Sequence, residues 1–416
     1  MHRRTVGLWL VAGLLAGCTA GGRPATTPPV LDVLPDATTS GPRTVTTTAL
    51  DGNRVVAGTL PRDTSSITLA ASPSPTRLLA APVKGGHLLV SVDGTATAGW
   101  LVADTGVLHT LGDDAVAALG APTTGRPALV REGTSWRFAD AAAPLGDAAW
   151  VVDGRVLALD GVGGFAVDGR QVLDDVLPDA LLAVSDGRAV LLAGPTDRYR
   201  HAVLVDAVEA SAVVVVDLAT ATVVRRTEVA DDEVIEGLGA LLADVDGDGT
   251  VEILVTVSDP EGGARQVVLA GGRRIDGQPV GTGNRWRHLV GVARGEVTEV
   301  VTPHLDRILR TSVVRDGELV ATGSIRDTVA SHTIGSRDLD RALLVVEGST
   351  TLLVGPAARD PSVLRAVDRL VDGDGGVRDV ALGAPVSSNL IGWSVGGRVV
   401  LAVGTADGRV HLLGLP

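Results

Sequence analysis

Apolar residues recur along this chain in short runs separated by polar turns. His-Leu-Leu-Val-Ser-Val-Asp-Gly (87–94), Ala-Trp-Val-Val-Asp-Gly-Arg-Val-Leu-Ala-Leu-Asp-Gly (149–161), the run 180–194 and the closing run 398–413 all follow this form. Asp-Gly between two apolar runs is a strong hairpin signal, because a type I′ turn needs positive φ at both central residues. Ala-Val-Val-Val-Val (212–216) and Leu-Leu-Val-Val (343–346) have no polar alternation and read as strands buried on both faces. No segment sustains a 3.6-residue apolar stripe, so helices are not expected.

Strands spaced this way over more than 300 residues predict an all-β fold built by radial repetition. Polar clusters open apolar runs at Arg198-Tyr-Arg-His201, Asn284-Arg-Trp-Arg-His288 and Ser331-His332. Their separations are near two, then one, blade lengths of about 45 residues, the repeat of a four-stranded propeller blade. The expected architecture is a single β-propeller over residues 43–416 with about seven blades; six or eight fit nearly as well. The alternative is two stacked β-sandwiches, although no linker divides 75–416.

The first 42 residues break the pattern. A basic start, Met1-His-Arg-Arg4, precedes the uncharged apolar run Thr5–Gly17, which has the layout of a signal peptide. The run is too short to span a bilayer, which takes about 20 residues. It ends Leu15-Ala-Gly-Cys18, which resembles the bacterial lipobox. That resemblance implies cleavage before Cys18, lipid on its sulfur and an anchor on the outer face of the cell membrane. Cys18 is the only cysteine among 416 residues, so no internal disulfide exists. The other reading is an ordinary signal peptide with an incidental cysteine. Residues 18–42, rich in Thr, Pro and Gly, cannot bury enough surface to order themselves and read as a tether. The expected organisation is therefore signal peptide 1–17, tether 18–42 and propeller 43–416, exported and extracytoplasmic.

Composition narrows the partners. The net charge of −13 repels phosphate backbones, so nucleic acid is not an expected partner. Aromatic residues make up only 2 %, leaving Val, Leu and Ala to fill the core.

The sharpest chemical motif is Asp244-Val-Asp246-Gly-Asp248-Gly-Thr250-Val-Glu252. Alternate aspartates separated by glycine fold back on one point, and clustered carboxylates repel unless a cation sits among them. Hard oxygen ligands suit Ca²⁺, with the Thr250 carbonyl as a further ligand. The loop is not an EF-hand, since Val255 stands where the bidentate Glu belongs. It resembles the calcium loop of the FG-GAP/VCBS repeat propellers, which include the integrin α-subunit head. Asp244, Asp246, Asp248, Gly249 and Glu252 fall on that family's positions, with Glu replacing the final Asp. The resemblance implies a structural calcium ion stapling strands within a blade. A solvated acidic hairpin without metal is the other reading. The similar stretch 370–379 has Leu370 and Arg378 at ligand positions and reads as a plain hairpin. Val345–Ser349 reads as a decayed copy that kept its strand and lost its ligands.

Arg200, His201, Arg287, His288, His304, His332 and Arg337 cluster near strand starts in the C-terminal half. The preferred reading is that they satisfy backbone groups where blades meet. The other is a basic channel mouth, tinged by Tyr199 and Trp286, suited to a carboxylated or sulfated ligand. No two histidines share metal-ligand spacing. Nucleophile elbows, Walker loops and dinucleotide fingerprints are absent, and the tryptophans do not repeat by blade as in quinoprotein dehydrogenases. The expected function is a calcium-stabilised binding or scaffold module at the cell envelope, for a glycan or an envelope protein. The rival is an enzyme acting on an extracellular polysaccharide or other polymer, which would need a His and a carboxylate converging in a pocket.

Overall fold

The structure, a computed structural model, describes residues 44–45 and 50–416, apart from 62–65, 72–73, 95, 123–127, 133–134, 139–147, 200, 202, 205–206, 282–284 and 369–375. The expected signal peptide and tether, with Cys18, fall in residues 1–43, outside the described residues. Among the described residues no helix is long and apolar enough to cross a membrane.

The chain is an all-β propeller. Its strands form seven hydrogen-bonded sheets, of which the eight-stranded one comprises two consecutive four-stranded meanders. Among the described residues this makes eight units. In chain order they start at Arg77, Leu129, Ala148, Ala183, Val234, Arg287, Leu343 and Val386, and are numbered here blades 1 to 8. All but blade 2 carry a four-stranded antiparallel meander, and blade 8 borrows its fourth strand from Ser66–Ala70 near the N-terminus. That loan closes the ring by hydrogen bonds between the two ends of the chain.

Local sequence accounts for the hairpins. Asp153-Gly154 and Asp186-Gly187 have φ of 48/77° and 49/68°, the left-handed pair that a type I′ turn demands. The run 212–216 is buried throughout, because its strand Glu209–Asp217 packs between neighbouring blades. Across 343–346, Leu343, Leu344 and Val345 are buried and Val346 only partly so.

First strands of neighbouring blades 4 to 8 lie against one another, which marks them as the inner wall. Residues 50–59 run along that wall as a collar. Val184 N–H of blade 4 donates to Leu50 O (2.7 Å), and Leu242 N–H of blade 5 donates to Asp51 O (2.8 Å). The Asn53 amide bonds both the N–H (2.8 Å) and the C=O (3.0 Å) of Val292 in blade 6. Val55–Ala57 pair in parallel with Leu344–Val346 of blade 7, and Thr59 N–H reaches Gly397 O of blade 8 (2.8 Å). Gly52 sits at φ +71°, where an added Cβ would lie 2.6 Å from Ala240 O. Glycine is required there both by φ and by space.

The seam between blades 8 and 1 is held in the same way. Asn389 Oδ1 accepts from Leu78 N–H (2.7 Å), and its Nδ2 donates to Leu78 O (3.0 Å). Asn389 is fully buried. Asn389→Ala would leave both Leu78 groups unpaired in a dry seam. A loss of about 2–4 kcal/mol is expected in urea melts, with the slope unchanged.

Candidate functional site

Two chemically distinct features sit at opposite ends of one strand. The first strand of blade 5, Val234–Ala243, carries Glu236 near its start and runs directly into Asp244. The acidic loop is therefore the turn between the first and second strands of blade 5, and the histidine cluster lies at the other end of the wall.

In the acidic loop Asp244, Asp246 and Glu252 each bring one carboxylate oxygen within 4.8 Å of the others. Oxygens sharing one Ca²⁺ at about 2.3–2.6 Å can be no more than about 5 Å apart, so this spacing fits the ion. Gly247 and Gly249 N–H groups donate to the two Asp244 oxygens (2.7 and 3.0 Å), which fixes that carboxylate in place. Glu252 is buried, and its Oε2 accepts from Val245 N–H (2.9 Å). Burial first, then the neighbouring aspartates, push the Glu252 carboxyl above its ordinary value, while the Val245 bond opposes them. A bound cation would remove that repulsion. Asp248 instead caps Thr250 N–H (2.7 Å) and lies outside the group of three.

The related loops have other partners. Glu347 of the shortened blade 7 turn pairs with Arg378 (2.8 Å), and Asp379 pairs with Arg365 (2.7 Å). Residues 370–375 of the second Asp-Gly loop lie outside the described residues.

At the opposite end, the start of the first strand of blade 6, Arg287–Ala293, the loop after its second strand and the 6–7 connection bring Trp286, His288, His304 and His332 together. Trp286 stacks on His288 (5.3 Å, 14°) and on His304 (6.0 Å, 16°), and meets His332 edge-on (4.8 Å). The hydrogen bonds assign the tautomers. His332 Nε2–H donates to Ser336 O (2.6 Å), so neutral His332 must accept at Nδ1 from His304 Nε2–H (2.6 Å). His288 Nε2–H donates to Leu339 O (3.1 Å), and its Nδ1 accepts from Ser331 Oγ–H (2.8 Å).

Burial holds all three imidazoles below their ordinary pKa. His288 is driven well down, with His332 and Arg54 adding to the effect. His332 falls to about 4, and His304 is lowered further by His201 and Arg307. The unfolded chain therefore binds more protons than the folded one below about pH 6.5. Stability is expected to fall as pH drops from about 6.5 towards 4, where His332 itself protonates in the folded state. Melting temperatures from pH 7.5 to 4.5 check this, and His332→Gln should flatten the slope.

The arginines of the alternative reading, a basic mouth, are either paired or outside the described residues. Arg287 is 2 % exposed and locked to Glu299, with Nε donating to Oε2 (2.7 Å) and Nη1 to Gln278 O (2.6 Å). Arg337 pairs with Asp179 (3.2 Å). Arg200 lies outside the described residues. With their pKa values lowered by burial, His288, His304 and His332 offer hydrogen-bonding imidazoles rather than a cation cluster. The backbone bonds of His288 and His332 match the expected structural role, but their convergence with His304 on Trp286 exceeds it.

His201, in the loop between the second and third strands of blade 4, reaches blade 5. Its Nδ1 lies 2.8 Å from Glu236 Oε1. Tyr199 lies edge-on to His201 at 6.0 Å, and its buried hydroxyl, without a partner among the described residues, is pushed up to about 12 by burial and nearby carboxylates. Inward of the mouth is a cavity of about 80 Å³ whose lining includes Arg54, Glu236, Gly237, Thr256, Trp286 and His288. Arg54 enters from the collar and donates to Leu339 O (3.2 Å), Asp340 O (2.6 Å) and Leu390 O (3.2 Å). Among the described residues, no three-ligand metal set involves these histidines.

Glu236 and Arg54 carry no sequence motif. The available signal was Glu236-Gly-Leu-Gly239, since glycines inside a strand mark bulges. The ladder shifts between Glu236 and Leu241, and that bulge shapes the cavity wall.

No family model and no curated protein matches this chain. Several solved structures are similar at low identity. The crystal structure of BamB from Moraxella catarrhalis is 11 % identical, covers 86 % of this chain and 97 % of its own, and gives a TM-score of 0.43. A europium-containing methanol dehydrogenase is 10 % identical, with 88 % and 91 % covered and a TM-score of 0.48. BBS1N, solved in complex with ARL6DN, is 10 % identical, with 84 % and 95 % covered and a TM-score of 0.41. Likeness at this level adds nothing to what the sheets show, and the propeller assignment rests on the repeated four-stranded meanders and the N-terminal closing strand.

Proposed function

We propose that this chain is a lipid-tethered, calcium-stabilised β-propeller that binds a glycan or protein partner at the cell envelope through the histidine end of its ring. The observation that carries the reading is the convergence of Trp286, His288, His304 and His332 at one end of the inner wall. Two large aliphatic side chains in the same loops, Leu305 (60 %) and Ile334 (67 %), are exposed beside them. Aromatic and aliphatic surface next to neutral donors and acceptors suits a polar, uncharged or weakly charged partner. A calcium staple in blade 5 and lipid on Cys18 complete the proposal, on the sequence grounds given above and on the spacing of the three carboxylates.

The test is a glycan and envelope-protein binding screen on the full chain. A hit should weaken at least tenfold with His304→Ala or Leu305→Ala and persist with Asp246→Ala. A hit insensitive to both mouth variants would contradict the reading. For the anchor, metabolic labelling with palmitate should mark the protein and fail with Cys18→Ser.

One observation supports the enzyme reading. His201 and Glu236 form the base-and-orienter half of a catalytic constellation, with Nδ1 on the carboxylate and Nε2 without a described partner. If hydrolysis of an envelope polymer is found, His201→Ala should reduce kcat at least a hundredfold with little change in KM.

A further inference from the structure

Glu236, which lines the cavity inside the mouth, keeps one carboxylate oxygen without a hydrogen-bond partner among the described residues. Glu236 is 4 % exposed, and its Oε2 is buried with no hydrogen-bond partner among the described residues, while Oε1 holds His201. A buried carboxyl oxygen left unsatisfied is costly, and such atoms call for a water or a ligand.

The surrounding charges indicate which ligand. Arg287 is neutralised by Glu299. Arg54 faces Asp340, whose charge partly offsets the burial that lowers the guanidinium to about 10. His288 is neutral and already bonded at both ring nitrogens. Among the described residues Glu236 has no arginine partner, and its one ion-pair contact is with His201 Nδ1 (2.8 Å).

We infer that this cavity binds a small protonated primary amine whose N–H group donates to Glu236 Oε2. A cavity of about 80 Å³ has room for a molecule of a few heavy atoms, such as a short amino alcohol or diamine. The bulge at Gly237–Ala240 makes the space: its strand leaves the ladder with Val255, and Leu181 N–H bonds Leu238 O instead. Glu236 therefore has two roles, orienting His201 with one oxygen and receiving the ligand with the other.

This inference rests on reading the histidine end as a binding site, and it adds the ligand class. The test is thermal unfolding of the full chain in detergent, at pH 7.5 and constant ionic strength. Ethanolamine is compared with ethylene glycol, sodium acetate and potassium chloride. A saturable rise in Tm with ethanolamine alone is expected. Glu236→Gln should weaken the apparent affinity about 10- to 100-fold, the range for a hydrogen bond to a charged group, while still responding to calcium. An equal rise with ethylene glycol, no saturable rise, or an unchanged response in Glu236→Gln would overturn the inference. The ethanolamine–ethylene glycol comparison needs only the unaltered protein, so it decides even if the variant does not fold. If amines fail while a mouth-sensitive macromolecule binds, only the amine site falls. If amines bind and no macromolecule does, the docking reading falls and the amine site stands.

Discussion

Glu299→Ala is expected to destabilise the protein by about 3–5 kcal/mol, because it strands a guanidinium inside the fold. Arg287 and Glu299 are each 2 % exposed at the side chain. Their pair is held on every side. Gln266 Nε2 donates to Glu299 Oε2 (2.9 Å), Thr256 Oγ1 donates to Arg287 O (3.0 Å), and Arg287 donates to Gln278 O. Removing the carboxylate also leaves Gln266 without its acceptor. For about 370 folded residues the loss corresponds to a Tm fall of roughly 4–6 °C. Arg287→Met with Glu299→Leu should recover most of it, since well-packed apolar pairs often replace buried ion pairs at little cost. Differential scanning calorimetry on the three proteins checks this. A fall below 1 °C for Glu299→Ala would show that the pair is not sealed from water.

The second large effect is expected from calcium. With the ion at about a hundred times its dissociation constant, binding to the folded state alone adds about 2.7 kcal/mol, or roughly 3–4 °C in Tm. Chelation should remove that increment, and magnesium should not restore it, because a compact loop of carboxylates suits a flexible oxygen shell better than a rigid octahedron. Asp246→Ala should abolish the calcium response. Asp248→Ala should reduce it less, since Asp248 stands outside the three oxygens that converge. Identical melts with calcium and with chelator would remove the metal from the account.

The propeller was legible because its signals are local. Asp-Gly turns at 153–154 and 186–187 take positive φ at both positions, and the buried Val run 212–216 sits between blades. The acidic loop was legible for the same reason: the carboxylates that converge there, Asp244, Asp246 and Glu252, lie within nine residues. The contents of the channel were not. Asn53, Arg54 and Asn389 bond backbone groups about 240 to 340 residues away, and no neighbouring residue announces those contacts. The histidines were visible as residues, but their convergence on Trp286 was not. Burial among neighbouring imidazoles and arginines, which only the fold supplies, lowers their pKa, against the cationic alternative weighed beside the preferred structural reading. The pairing of Arg287 was not legible either, because its partner Glu299 comes from the adjacent strand.

The most direct test of the central claim is hydrogen–deuterium exchange of the full chain with and without a ligand found in the binding screen. Protection is predicted in segments 285–288, 302–307 and 331–339, which build the histidine end, with no change in 244–251 at the opposite end of blade 5. Protection confined to 244–251, or to the outer strands away from the mouth, would contradict it.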